Sequence, residues 1–303
     1  MPRLCLSLTV LVSVALPARA APVEPSWKYW AQDKWWKEFP QCGGDQQSPV
    51  ELRPTEDRFW YYGRGPRVRF AKRLKAGRLT ATNTGRTLSV TLENDSGEPA
   101  VQLKGSRSGL LSSRYTLDNL HLHWNDPAGG RGSEHKMNGA FEQAEAHFVF
   151  FNQQYGNVSA ALAHVDGLAV VGLLLRPDAA LSLSLPTLGL DGDLPRLTQM
   201  GSSVTRQVDL RPLRRPLRVA LRTFFSYHGS LTTPPCSPAV TWIVHDHPVS
   251  IDVPFLQQLR TSMRANTAGT ETIQNNWRKL HKLGNRALCK YDRSFLRNWL
   301  SCR

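Results

Sequence analysis

A chain of 303 residues, 41% hydrophobic and 20% charged, is long enough for one large domain or two small ones. No linker-like stretch, low-complexity segment or internal repeat divides its middle, so one domain is expected. The formal charge of +14 points toward anionic partners, and no apolar run is long enough to predict a membrane span.

In chain order, residues 1–20 read as a secretory signal: Arg3 is the basic start, Leu4 to Leu16 the apolar core, and Ala18-Arg19-Ala20 the cleavage pattern. A secreted, soluble, extracellular chain is therefore expected. Residues 27–40 carry Trp27, Trp30, Trp35 and Trp36 and predict irregular or short helical structure, with a loop over 40–49. Residues 67–105 alternate as several short strands, turning at Asn83-Thr84-Gly85 and Asp95-Ser96-Gly97. Strands follow at 115–124 and 143–151, separated by a Gly-rich turn (Gly129, Gly130, Gly132) that leads to Glu134-His135. Ala160 to His164 reads as helical, and Leu168 to Leu175 as a buried strand. A short helix or loop is expected at 187–200, and strands near 217–226 and 239–245. Pro254 opens a helix to about Ala265. The expected class is α+β, mainly β, with a central sheet and short peripheral helices.

Three histidines carry the chemistry. His121 and His123 lie two apart on one strand, so both side chains share a face, about 6.5–7 Å apart. His147 sits on another strand, with Glu145 two residues before it on the same face. Three imidazoles with one open position form a catalytic zinc set, and a carboxylate beside a ligating imidazole accepts its second N–H. His-x-His alone is weak evidence, since His245-Asp246-His247 repeats it before Pro248 with no third ligand nearby. That second pair reads as surface.

Cys5 leaves with the signal, and Cys42, Cys236, Cys289 and Cys302 remain, an even number. Three pairings are open to them. The expected one is Cys42–Cys236, closing a long loop around the core, with Cys289–Cys302 stapling the C-terminal segment. Asn94-Asp95-Ser96 and Asn157-Val158-Ser159 are N-glycosylation sequons. From Arg278 onward the chain holds eight Lys or Arg against one acid, Asp292, and Arg211 to Arg222 is a second basic run. Both suit a polyanion such as a sulfated glycan or acidic matrix. Nucleic acid is not an expected partner.

Together these stretches resemble an α-class carbonic anhydrase of the secreted type. They are Gln47-Ser48-Pro49-Val50, His121-Leu122-His123-Trp124, Gly132-Ser133-Glu134-His135, Glu145-Ala146-His147, Gly167-Leu168-Ala169-Val170-Val171-Gly172, Gly229-Ser230-Leu231-Thr232-Thr233-Pro234-Pro235-Cys236 and Asn276-Trp277-Arg278. The resemblance covers about Trp27 to Arg278. It implies a domain over 21–278, a basic tail over 279–303, and a large twisted, mostly antiparallel sheet with zinc at the floor of a conical cleft. It matches Cys42 and Cys236 to a family disulfide. It assigns His121, His123 and His147 as Zn2+ ligands, and the reaction as reversible hydration of CO2 to bicarbonate and a proton by zinc-bound hydroxide. Thr232 matches a gatekeeper whose hydroxyl donates to Glu134. Thr233, Val149, Val170, Leu231, Val240 and Trp242 match the substrate pocket. Glu145 supports His147, the Asn276 carbonyl supports His123, and Asn119 supports His121.

Four departures stand out. Asn119 replaces the usual Gln, one methylene longer, and is expected to need a water to reach His121. Arg86 occupies the place of a proton-shuttling His. An imidazole titrates near neutrality, whereas a guanidinium stays protonated, so slowed proton export is expected. Tyr29 matches a cleft tyrosine through a shortened segment, and Asn125 replaces a Gly. The alternative reading is a catalytically weak or silent extracellular binding or matrix protein of the same fold.

Overall fold

The computed structural model describes residues 23–53, 60–61, 65–105 and 109–293. The signal segment, Cys302 and the Cys289–Cys302 pairing lie outside the described residues.

Among the described residues a mixed, thirteen-stranded sheet dominates. Its main path runs Ser203–Val208, Gly77–Asn83, Leu88–Glu93, Arg114–Trp124, Ala144–Asn152, Leu168–Arg176, Val240–His245, Thr223–Gly229, Cys289–Asp292 and Trp60–Tyr61. Pairing is mostly antiparallel. It is parallel where Leu168–Arg176 meets Val240–His245 and Val249–Ser250, and where Cys289–Asp292 meets Trp60–Tyr61. Leu168–Arg176 is buried on both faces up to its final arginine, as its unbroken apolar run requires.

The alternation of the central strands sorts two layers. Leu120, Leu122, Trp124, Phe148 and Phe150 point into the larger apolar core. Val149, Val170, Val240 and Trp242 point to the opposite face with a second apolar cluster. His121, His123 and His147 occupy alternate positions on that second face. Register places His121 opposite His147 and His123 opposite Glu145. A bulge between Leu117 and Asn119 leaves Asp118 as the extra residue just ahead of the histidines.

The N-terminal Trp-rich segment forms short helical turns at Tyr29–Lys34, Trp35–Glu38 and Pro40–Gly43. Cys42 is bonded to Cys236, 194 residues away, and both pack with Trp35. Four expectations change. The strand expected from 217 begins at Thr223, because Arg214–Ala220 is a helix burying Pro216, Leu217 and Ala220 at helical spacing. The helix expected at 160–164 is Val158–Ala161, started by Asn157, whose side chain accepts from Ala160 N–H. The helix at Pro254 runs Val253–Ser262, capped by Asp252. The segment read as a basic tail contributes the strand Cys289–Asp292.

Candidate metal centre

The three imidazoles converge. Ring centroids lie 5.2 Å (His121–His123), 5.2 Å (His121–His147) and 4.5 Å (His123–His147) apart. His123 Nε2 and His147 Nδ1 are 3.1 Å apart, and one nitrogen from each ring lies within 4.8 Å of the others. Two nitrogens on a tetrahedral zinc sit about 3.3 Å apart, so the His123 and His147 atoms are spaced as ligands, and His121 lies near enough to complete the set.

The outer nitrogens fix the tautomers. His123 Nδ1 donates to the Asn276 carbonyl (2.6 Å), and His147 Nε2 donates to Glu145 Oε1 (2.8 Å). His121 Nδ1 donates to Asn119 Oδ1 (2.7 Å), whose amide nitrogen is in turn held on Asp118 (2.8 Å). No water is needed. The bulge at Asp118 re-aims the shorter side chain straight at the ring, which corrects the expectation. Each outer N–H is thus committed and each inner lone pair faces the centre. Burial lowers the pKa of His121 well below that of an ordinary imidazole, and His123 and His147 lower it further. Burial lowers His123 as well, with Glu134 opposing. Neutral imidazoles are the form that binds metal.

Glu145 organises the surroundings. Its Oε2 accepts from the backbone N–H of Glu134 and of His135 (both 2.8 Å), and its Oε1 also accepts from His135 Nδ1 (2.7 Å). Burial alone would raise this carboxyl, but His135, His147 and their hydrogen bonds hold it well below the carboxylate range. His135 continues to the Tyr227 hydroxyl (2.7 Å), which reaches Ser48 Oγ (3.0 Å). The sequence reading had not given His135 and Tyr227 a role; the signal was the adjacency of His135 to Glu134. Asn276 does more than lend its carbonyl: its side chain accepts from Trp124 N–H and donates to the Leu122 and Arg86 carbonyls.

Glu134 is fully buried. Its Oε1 accepts from Arg278 N–H (2.8 Å). Its Oε2 has no hydrogen-bond partner and lies 3.5 Å from His123 Nε2 and 3.9 Å from His147 Nδ1. The expected hydrogen bond from Thr232 to Glu134 is therefore not made, because the carboxylate leans toward the imidazoles. Thr232 is buried, and Thr233 is half-buried beside it. An orphaned buried carboxylate oxygen facing converged imidazole lone pairs is a donor set that fits a divalent cation.

Leu231 packs against the cluster of Val149, Val170, Val240 and Trp242, and Trp242 lies edge-on to His147 (4.8 Å). Burial pushes the Tyr29 phenol well above its ordinary pKa, with Glu134 adding and Arg86 opposing, so Tyr29 lies within electrostatic reach of the site. Arg86 donates to the carbonyls of Gly85 (2.8 Å), Trp27 (2.9 Å), Pro25 (3.1 Å) and Ala265 (3.3 Å). Asn125 is buried and accepts from Arg260 Nε (2.9 Å). The second His-x-His differs from expectation at one position: His245 is buried and donates to the Thr223 carbonyl (2.8 Å), while His247 is exposed. Asp246 between them is held by Lys290 (3.0 Å) and His247 (2.7 Å).

Three imidazoles on the floor of a sheet, beside an apolar wall, define a metal-dependent enzyme for a small nonpolar substrate. The family model for eukaryotic-type carbonic anhydrase matches residues 31–292, and the chain belongs to that family. It is similar to carbonic anhydrase 12 of Homo sapiens (32% identical over 301 residues, 94% of this chain and 80% of that one). It is also similar to carbonic anhydrase 6 of Bos taurus (30% over 292 residues, 93% and 84%) and carbonic anhydrase 3 of Bos taurus (29% over 254 residues, 81% and 89%). The cofactor is zinc and the reaction class is hydration of CO2.

Proposed function

We propose that this chain interconverts CO2 and bicarbonate with zinc on His121, His123 and His147, and that proton export is its slow step. The observation that carries the reading is the convergence of three inner nitrogens whose outer N–H groups are all committed to acceptors. When bound, zinc supplies a Lewis acid that brings the pKa of water to about 7. Thr232 and Glu134 are assigned as the pair that orients the attacking oxygen. The unpartnered Glu134 Oε2 is the acceptor, and the Thr232 hydroxyl is the donor that turns to it. Val149, Val170, Leu231, Val240 and Trp242 offer CO2 a wall with no competing hydrogen bonds, and Thr233 lines the polar side.

Export is slow because Arg86 cannot release a proton near neutrality and is committed to the Pro25 and Trp27 carbonyls. The Cys42–Cys236 bond supports an oxidising, extracellular setting. The test is stopped-flow CO2 hydration on zinc-assayed protein with an imidazole titration. Turnover that rises with imidazole supports the reading. Stoichiometric zinc with no hydration in any buffer overturns it in favour of a silent binding protein.

A further inference from the structure

We propose that a second surface, the outer face of the strands Arg67–Phe70, Val101–Lys104 and the start of Arg114–Trp124, docks a sulfated linear polysaccharide. The register carries the argument. Arg67 pairs with Lys104, and Lys104 pairs with Arg114, so three cations lie side by side across three neighbouring strands. Adjacent strands are about 4.8 Å apart, so the row is about 10 Å long. Arg69, two residues from Arg67, extends the same face. All four side chains are exposed, and none has a carboxylate within ion-pair distance among the described residues.

Like charges directly opposite one another destabilise a sheet. Edge protection explains part of the row, since charged residues keep an edge strand from pairing with other chains. Among the described residues Arg67–Phe70 pairs only with Val101–Lys104 and is such an edge. Lys104 and Arg114 lie on strands paired on both sides, so edge protection does not account for them. An anionic ligand does. Arg214 and Arg218 sit over Phe70 (5.8 Å each) and carry positive charge around the same edge.

Several cations of the stretch Arg278 to Lys290 have partners within the fold instead. Arg278 donates to Gln47, Ser48 and Cys42. Lys279 pairs with Asp33 and Lys290 with Asp246. Arg286 donates to the Gln47 and His228 carbonyls. The strip also excludes two other occupants. Among the described residues the exposed large apolar ones are Val23, Trp30, Trp36, Val165 and Val253, none of them on it. Among those residues the strip therefore offers no aromatic platform for bases and no wedge for a bilayer. Guanidinium groups suit sulfate, which accepts two parallel N–H bonds.

The test is affinity for immobilised heparin at about 0.15 M salt, on the full zinc-loaded chain. Arg67→Gln/Lys104→Gln/Arg114→Gln should bind at least tenfold more weakly, with zinc content and CO2 hydration unchanged. A charge-matched Lys34→Gln/Lys37→Gln/Arg196→Gln chain should stay within about threefold of the parent. Lys104→Glu places a carboxylate between two arginines, so it should raise the Tm while weakening heparin binding. Equal losses in both triple variants would reduce the effect to net charge and overturn the proposal. So would unchanged binding in the strip variant, or an unchanged or lowered Tm for Lys104→Glu. Hyaluronan, which lacks sulfate, phosphatidylserine vesicles and single-stranded DNA should bind far more weakly than heparin; parity for any of them overturns the choice of partner.

Discussion

Replacing Glu145 by Gln should cost far more zinc affinity than the loss of one charge suggests. The side-chain position on Oε2 faces two backbone N–H groups, of Glu134 and His135, at 2.8 Å. An amide nitrogen cannot accept a hydrogen bond, so the Gln oxygen must take that place. Its NH2 group then faces His135 Nδ1 and His147 Nε2, where Oε1 accepted both. His135 can exchange tautomers, because its other neighbour is the Tyr227 hydroxyl, which accepts as well as donates. His147 cannot: becoming an acceptor at Nε2 moves its proton to Nδ1 and removes the inward lone pair. Losing an outer contact ordinarily weakens metal binding by about 10–100-fold, or about 1.4–2.7 kcal/mol. Here the ligand itself is disabled, so the expected loss is about 100-fold or more. Chelator competition measures it, with the Tm of zinc-free protein as the folding control. A folded Glu145→Gln chain within about threefold of the parent's zinc affinity would refute the tautomer argument.

Asn119→Ala removes one acceptor from His121 and leaves its inner lone pair in place, so zinc affinity should fall only about tenfold in the same competition. Arg86→His should raise turnover in weak buffer and flatten the imidazole dependence in stopped-flow. It should also lower stability by about 1–3 kcal/mol in chemical denaturation, since it unties the Pro25 and Trp27 carbonyls. The half-buried His281 has its pKa lowered to about 4, by burial first and then by Arg278 and Arg286. Its contribution to stability is whole above the unfolded value of about 6.5 and is lost as pH falls through about 4. After discounting for solvent screening this is about 1–2 kcal/mol, and denaturation curves of His281→Asn should lose that part of the pH slope. Of the two sequons, Asn94 is buried, its amide donating to Glu98 and accepting from the Ser96 and Glu98 N–H groups, whereas Asn157 is exposed. Expression through a secretory pathway should give one glycan, removed by Asn157→Gln and not by Asn94→Gln in a mobility assay.

The ligand face was legible in two halves because a strand's period is two: His121 and His123 must share a face, as must Glu145 and His147, and the register puts both pairs on the same one. The apolar run of Leu168 to Leu175 showed a central strand because both of its faces are covered. The helix Arg214–Ala220 was not legible as one, since Pro216 and the β-branched Val219 interrupt a helical pattern of only seven residues. The direct Asn119 contact was hidden because it depends on a bulge, and a bulge is a property of two strands together. The Glu134 orientation was hidden because rotation of a buried carboxylate is decided by the backbone N–H of Arg278, 144 residues away.

Charge was the least legible property, and the reason is physical. A sequence counts cations, but their effect on a partner depends on what each one faces after folding. Arg278 and Arg286 stand in a basic stretch and are turned inward onto carbonyls, where they hold the N-terminal loop at Gln47 and Ser48. Arg67 lies in the basic run Arg64 to Arg78, whereas Lys104 and Arg114 stand outside it, and the register gathers all three into one row. Cations used as hydrogen-bond donors inside a fold are desolvated and fixed, and add little to the field a polymer meets. Cations aligned on one pleated face act together, at a spacing the backbone sets. For a chain of this charge, strand register therefore adds what the density of Lys and Arg along the sequence lacks: which of the cations share one face.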